Sequence, residues 1–121
     1  MKIQKSSEDY LEAMLVLRER LGYIRSVDIA NMLGVKKPSV TYATKRLREN
    51  KYIEMDKSGA ITLTEKGSAI AENIYRRHNV LTEALIRLGV PEDIAREDAC
   101  KLEHDISDRA FRAIYDYIEK K

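Results

Sequence analysis

Apolar residues recur along this chain at two different periods, and the changes of period mark out its elements. Tyr10, Leu11, Met14, Leu17 and Leu21 fall three or four positions apart, the spacing that lines one face of an α-helix. Asp9, Glu12 and Val16 fall on the opposite side. Ser6 or Ser7 is placed to cap this helix, Glu8 and Asp9 complement its dipole, and Gly22 ends it. A second helix is expected from Ser26 through Ile29, Ala30, Met32 and Leu33 to Gly34, and a third from Pro38 to Asn50. Pro38 suits a first turn because its missing N–H has no helical partner there. The third helix buries Val40, Ala43, Thr44 and Leu47 and turns Pro38, Tyr42 and Lys45 outward, flanked by Ser39, Thr41 and Arg46. The stretch YIEMDKSGAITLT then changes to two short strands around the turn Asp56-Lys57-Ser58-Gly59.

The helical period returns from Thr64 to about Leu88, with Ile70, Ile74, His78, Leu81, Leu85 and Leu88 on one stripe. Gly89-Val90-Pro91 breaks it, and a further helix is expected from Pro91 to about Ile106. A last helix from Ser107 carries Ala110, Phe111, Ile114, Tyr117 and Ile118 at helical spacing and ends two residues before the terminus. These helices hold more apolar stripe than a monomer of 121 residues readily covers, which points to a dimer interface.

The expected fold is therefore mainly α with a small β-hairpin. Two short helices joined through Leu33-Gly34-Val35, the second basic and rich in hydroxyls, form a helix-turn-helix, and the hairpin behind them forms a wing. We place a winged helix-turn-helix domain at residues 1–64 and a helical domain at 65–121.

Composition changes this picture only where it is uneven. Hydrophobic residues make up 44% and charged residues 35%, with 5 Gly and 2 Pro, so little of the chain is left for linkers. No apolar run approaches the roughly 18 residues that span a bilayer, and MKIQKSSED lacks the apolar stretch of a signal peptide, so no membrane partner and a cytoplasmic location are expected. A net charge of +2 conceals a basic block and an acidic block. Between Lys36 and Lys51 six bases face the single acid Glu49, a local balance of +5, whereas Pro91 to Asp108 comes to −5. The first block suits phosphate and the second suits cations, although blocks of this size also occur as plain solvated faces. With the wing behind it, the basic helix favours double-stranded DNA as partner. The candidate contacts are Lys36, Lys37 and Lys45, with Ser39, Thr41 and Tyr42 as hydrogen-bonding groups, Pro38 as a geometric or methyl contact, and Lys57 at the wing tip on backbone.

The stretch AREDACKLEHDIS carries the other chemistry. Cys100, Glu103 and His104 stand at i, i+3 and i+4, which on a helix brings a thiol, a carboxylate and an imidazole onto one face, three common metal-ligand types. In the competing reading Cys100 is a small buried hydrophobe, and Glu103 and His104 face solvent. His78, on an apolar face, has likewise the ordinary reading of a satisfied core histidine. One cysteine cannot form an internal disulfide, and in a reducing compartment Cys100 would stay available as a ligand.

Taken in order, SSEDYLEAML, VDIANMLGVKKPSVTYATKRL, ITLTEKG, IYRRHNVL and ACKLEHDIS resemble the diphtheria toxin repressor family of metal-dependent transcription regulators, which includes the manganese transport regulators. The resemblance covers essentially the whole chain. It implies a winged-helix DNA-binding domain followed by a helical dimerisation domain, with divalent iron or manganese bound between them as corepressor. By position, Asp9 and Glu12 match the helix-one ligands of the manganese-type members and His78 the histidine of the linking helix. Cys100, Glu103 and His104 match the Cys-x-x-Glu-His of iron-type members, where manganese-type members usually have Glu in place of Cys. The set is mixed: a carboxylate at position 9 favours Mn(II), whereas a thiolate at 100 favours Fe(II), Zn(II) or Co(II). Thr82 stands where members often carry a Glu that could serve a second metal, which weakens the case for two ions per subunit. The chain stops at Lys121 without the C-terminal Src-homology-3-like domain of longer members or the added helix of many short ones, so the minimal architecture is expected.

The expected function is thus a homodimeric, metal-dependent repressor of metal-uptake genes. Its corepressor would be Mn(II) or Fe(II), with Zn(II) or Co(II) able to bind in vitro, and its DNA a palindromic operator. No organic small-molecule substrate is expected. Histidines and carboxylates can also hold a catalytic metal, but there is no HExxH, Gly-rich phosphate loop or nucleophile elbow, so an enzyme is not expected. The alternative is a winged-helix regulator that answers to an organic effector or to none.

Overall fold

The computed structural model describes residues 5–120. The segment MKIQ, which enters the reading against a signal peptide, and Lys121 lie outside the described residues. The elements are α1 (Lys5–Leu21), α2 (Ser26–Leu33), α3 (Lys37–Glu49), β1 (Ile53–Met55), β2 (Ile61–Leu63), α4 (Glu65–Arg87), α5 (Glu92–Leu102) and α6 (Asp108–Lys120). The chain forms two compact units, one through Glu72 and one from Asn73, so the division falls inside α4.

In the first unit, α1 supplies the floor. Tyr10, Leu11, Met14 and Leu17 are buried as their spacing requires, and Ala13 and Leu15 join them. Leu21, expected on the same stripe, is 49% exposed, because it closes the helix and Gly22 turns the chain away with φ 80°. Ser6 and Ser7 lie within α1 instead of capping it. Against α1 pack Ile29 of α2 and Val40 and Leu47 of α3, and full burial of such side chains stabilises the unit by about 1.5–3 kcal/mol each. Gly34 ends α2 in the left-handed region at φ 67°, and the N–H of Val35 returns to the Ala30 carbonyl at 3.1 Å. That short turn sets the start of α3.

The hairpin pairs Ile53 with Leu63, Glu54 with Thr62 and Met55 with Ile61. Ile53, Ile61 and Leu63 are buried and Glu54 and Thr62 exposed, the alternation a one-sided sheet requires. A further rung comes from Ile24, whose carbonyl accepts the Ile61 N–H at 3.0 Å. Thr64 then joins the hairpin to α4: its hydroxyl bonds the carbonyls of Lys51 and Tyr52 and accepts the Gly67 N–H at 3.1 Å, an N-cap. Position 67 must be glycine, since a β-carbon there would run into the Tyr52 carbonyl.

The second unit is three-helical and has a small core of Leu81, Ala99 and Phe111, with Val80, Ile106, Ile114 and Tyr115 packed against it. The N–H of Val90 reaches the Leu85 carbonyl at 3.0 Å, closing α4 through Gly89 at φ 105°. Ser107 caps α6 by accepting the Ala110 N–H at 3.1 Å. Helix α5 ends at Leu102, short of the expected Ile106, because the N–H groups of Asp105 and Ile106 both fall back on the Leu102 carbonyl. Leu88, Leu102 and Tyr117 are left exposed. None of the described helices is long and apolar enough to cross a membrane.

Candidate metal centre and nucleic-acid interface

In the second unit the turn after α5 gathers ligand-type side chains. Glu103 has no solvent exposure and His104 only 7%. From α4, Nδ1 of His78 lies 2.8 Å from Glu103 Oε1, and His104 Nε2 lies 3.4 Å from Glu103 Oε2. Glu103 Oε2 is buried and accepts no hydrogen bond among the described residues. A carboxylate removed from water is costly unless a cation or donors compensate it, so a buried carboxylate between two imidazoles with an oxygen to spare is suited to a divalent ion.

The plain reading of the Cys-x-x-Glu-His stretch is inverted. Cys100, expected there as the buried member, is exposed on α5, while Glu103 and His104, expected in solvent, are buried. Sequence spacing misleads here because the last helical turn tightens after Leu102, which takes Glu103 and His104 out of α5 proper. His78 pairs with Glu103, and among the described residues the groups of three ligand-type side chains close enough to share an ion do not include Cys100. Thr82 is buried and donates its hydroxyl to the His78 carbonyl at 2.7 Å, which occupies it within α4.

In the first unit Asp9 and Glu12 are half-buried on α1. The outward face of α3 is as expected: Lys36, Lys37, Pro38, Ser39, Thr41, Tyr42 and Lys45 are all exposed, Tyr42 by 65%. At the start of α3 the N–H groups of Ser39 and Val40 turn back onto the Lys36 carbonyl, at 3.0 and 3.3 Å, and Pro38 has no N–H to offer, so this face meets a partner through its side chains. Arg46 belongs with this face: its guanidinium lies 5.8 Å from the centre of the Tyr42 ring, and the two line a concavity of about 200 Å³ with Ser6, Ser7 and Ser39. Its place one turn after Tyr42 was the available signal.

Lys57 is exposed at the wing tip. The turn beneath it is built on Asp56, whose Oδ1 accepts the Ser58 hydroxyl at 2.7 Å and the N–H groups of Ser58 and Ala60 at 2.9 and 3.0 Å. Those bonds, the hydroxyl first, hold its carboxyl below the ordinary value. Arg25 donates to the Ser58 carbonyl at 3.0 Å and so ties the wing to the start of α2, a contact no local pattern announces.

Two family models match this chain in succession. The family model for the iron dependent repressor N-terminal DNA binding domain matches residues 2–61, and that for the iron dependent repressor metal binding and dimerisation domain matches residues 64–120. A helix-turn-helix-type transcriptional regulator of Methanocaldococcus jannaschii is 36% identical over 120 residues, 98% of this chain and 96% of that one. The transcriptional regulator MntR of Geobacillus thermodenitrificans is 35% identical over 114 residues, 94% of this chain and 81% of the relative. The solved structure of the manganese regulator SloR matches with a TM-score of 0.83 at 30% identity, covering 100% of this chain but 56% of that one, so this chain spans little more than half of that regulator. With both domain models matched in order over nearly its whole length, the chain belongs to the iron-dependent repressor family of metal-dependent DNA-binding transcriptional regulators.

Proposed function

We propose that this protein is a cytoplasmic, homodimeric repressor of metal-uptake genes that binds palindromic operator DNA with Mn(II) or Fe(II) as corepressor. The observation that carries the metal reading is Glu103, fully buried between His78 and His104, one of its carboxylate oxygens accepting no hydrogen bond among the described residues. In the family pattern the ligand set would be completed by Asp9 and Glu12, with Cys100 as a thiolate donor. Carboxylates and imidazoles suit Mn(II) and Fe(II), and the thiolate adds affinity for softer ions. A bound divalent ion supplies the positive charge that lets these carboxylates be held together.

The chain's own residues connect such a site to DNA. Asp9 and Glu12 belong to α1, and the buried face of α1 is packed against α2 and α3. A ligand that fixes α1 therefore fixes the helix carrying Lys36, Lys37, Pro38, Ser39, Thr41, Tyr42 and Lys45. In a dimer the two α3 helices must stand about 34 Å apart to enter successive major grooves. Selection of that spacing by the metal-bound state requires, by linkage, that operator DNA tighten metal binding in equal measure.

A second copy of the chain is the natural cover for the second unit's apolar groove of about 680 Å³, lined by Leu81, Leu85, Leu88, Leu102, Ile114 and Tyr117. Isolated apolar side chains at a surface need no explanation, but a contiguous patch marks an interface. The residues lie within the stretch matched by the dimerisation domain model.

The test is fluorescence anisotropy of the protein on DNA from its own promoter, anaerobically, in chelator and then with Mn(II), Fe(II), Zn(II) or Co(II). Tight, saturable binding that requires metal is expected. Equal binding in chelator would leave a winged-helix regulator without a metal switch.

A further inference from the structure

We propose that Arg77 is a positioning residue for the metal centre, holding the turn from Glu103 to Ile106 so that Glu103 and His104 are presented together. This rests on the metal reading given above. Arg77 is a long cationic side chain with only 8% exposure, an uncommon place for a guanidinium without a specific task. Its Nη1 donates to the main-chain carbonyls of Glu103 at 3.2 Å and Ile106 at 3.1 Å, and its Nη2 is ion-paired with Asp108. The guanidinium also lies 5.2 Å from the centre of the Phe111 ring, within the second unit's core.

Two consecutive residues of α4 thus grip one residue of the turn. His78 meets the Glu103 side chain at 2.8 Å, and Arg77 meets its main chain. The carbonyls at the end of α5 lack helical donors and carry the negative end of its dipole, so a cation that donates to them satisfies both. Asp108 stands in the first turn of α6, so Arg77 spans the end of one helix and the start of the next. Within the turn, the Asp105 and Ile106 amides both bond the Leu102 carbonyl, at 3.1 and 3.0 Å. Those bonds fix its curl. Arg77 fixes where the curl lies against α4, and that placement decides whether the Glu103 carboxylate and the His104 imidazole converge.

The test compares the full chain with Arg77→Lys, which keeps the charge but loses the forked donor set, and with Asp108→Asn, which removes only the charge of an exposed anchor. Co(II) is titrated into each under anaerobic conditions, following its d–d absorption, with far-UV circular dichroism and hydrogen exchange of the Asp105 and Ile106 amides measured on the metal-free proteins. The proposal expects Arg77→Lys to retain helicity, exchange those two amides faster, bind Co(II) about 10–100-fold more weakly and show shifted d–d bands. Asp108→Asn should show the same changes at smaller size. Unchanged affinity and bands in Arg77→Lys, with the wild-type chain binding Co(II), would overturn the role of Arg77 alone. If Arg77→Lys loses its fold, unchanged amide exchange and Co(II) spectrum in Asp108→Asn would overturn it instead. A wild-type chain that binds no Co(II), Mn(II) or Fe(II) would overturn the metal reading itself, and this inference with it.

Discussion

His78 Nδ1 lies 2.8 Å from Oε1 of Glu103, a carboxylate with no exposure to solvent, so this buried acid of the second unit has an imidazole as its hydrogen-bonding partner. Replacing it by Glu103→Gln keeps the size and one oxygen facing His78 but removes the charge. Metal affinity should fall by more than about 100-fold, since even outer partners of a metal site are worth about 10–100-fold. Thermal stability of the metal-free protein should hold or rise, because a carboxylate buried without a full set of donors is costly, and the amide keeps an oxygen for His78. Calorimetric metal titration and metal-free melting curves check both halves; a large loss of metal-free stability would make Glu103 a structural residue.

Cys100 poses a different question, being exposed on the last full turn of α5 ahead of Glu103. As a thiolate donor in the loaded protein it should give Co(II) a ligand-to-metal charge-transfer band in the near ultraviolet. Cys100→Ser should abolish the band and weaken Zn(II) and Co(II) more than Mn(II), because the hard ion gains least from sulfur. A Co(II) spectrum identical in wild type and Cys100→Ser would remove Cys100 from the ligand set.

On the DNA face, Lys37, Lys45 and Arg46 are exposed cations on α3. If each neutralises one phosphate, alanine at any of them should weaken all DNA sequences alike. It should also flatten the plot of log affinity against log salt by about one unit. A loss confined to one base pair of the operator would instead assign that residue to sequence reading. Arg46 is the most informative of the three, because its contact with Tyr42 ties the charge to a ring that itself faces outward.

Much of this arrangement could be read from residue order. The outward and inward faces of α3 follow directly from the positions of Val40, Thr44 and Leu47, because a helix against a flat core must bury every third or fourth residue. The hairpin followed from Asp56 to Gly59 for the same local reason. What escaped was settled between distant segments. Arg25 reaches the wing carbonyl of Ser58 across 33 positions, and Arg77 reaches Glu103 across 26. Periodicity placed Cys100, Glu103 and His104 on one face as equals, but the short α5 and the tightened turn after it divide them into one exposed and two buried side chains. Leu21 failed for the simplest reason: a stripe stops being buried where the helix ends.

The wing should respond to acid. The Asp56 carboxyl is held below its ordinary value chiefly by the Ser58 hydroxyl, then by the Ala60 amide. A carboxyl that titrates lower in the folded chain than in the unfolded one stabilises the fold above its unfolded value. That contribution is lost as pH falls through the folded value. The turn should therefore loosen only below about pH 4, with no change between neutrality and pH 5. The Ala60 amide shift, followed by nuclear magnetic resonance, should show this step in wild type and lose it in Asp56→Asn. A step near neutrality would mean that another group controls the wing.

The apolar groove of the second unit offers the clearest separation between folding and assembly. Leu88 is 79% exposed and Tyr117 77%, so neither contributes much to the core of Leu81, Ala99 and Phe111. A charge at either position, as in Leu88→Glu or Tyr117→Glu, should leave helicity and melting of the monomer near wild type. If a second copy covers the groove, the same change buries an unpaired carboxylate in the interface and the dimer should dissociate. Sedimentation would then show a single chain. Affinity for a palindromic operator should fall by about 10²–10⁴-fold as two linked half-site contacts become one. Binding to a single half-site should barely change. A Leu88→Glu protein that remains dimeric and keeps its operator affinity would require another surface to join the two copies.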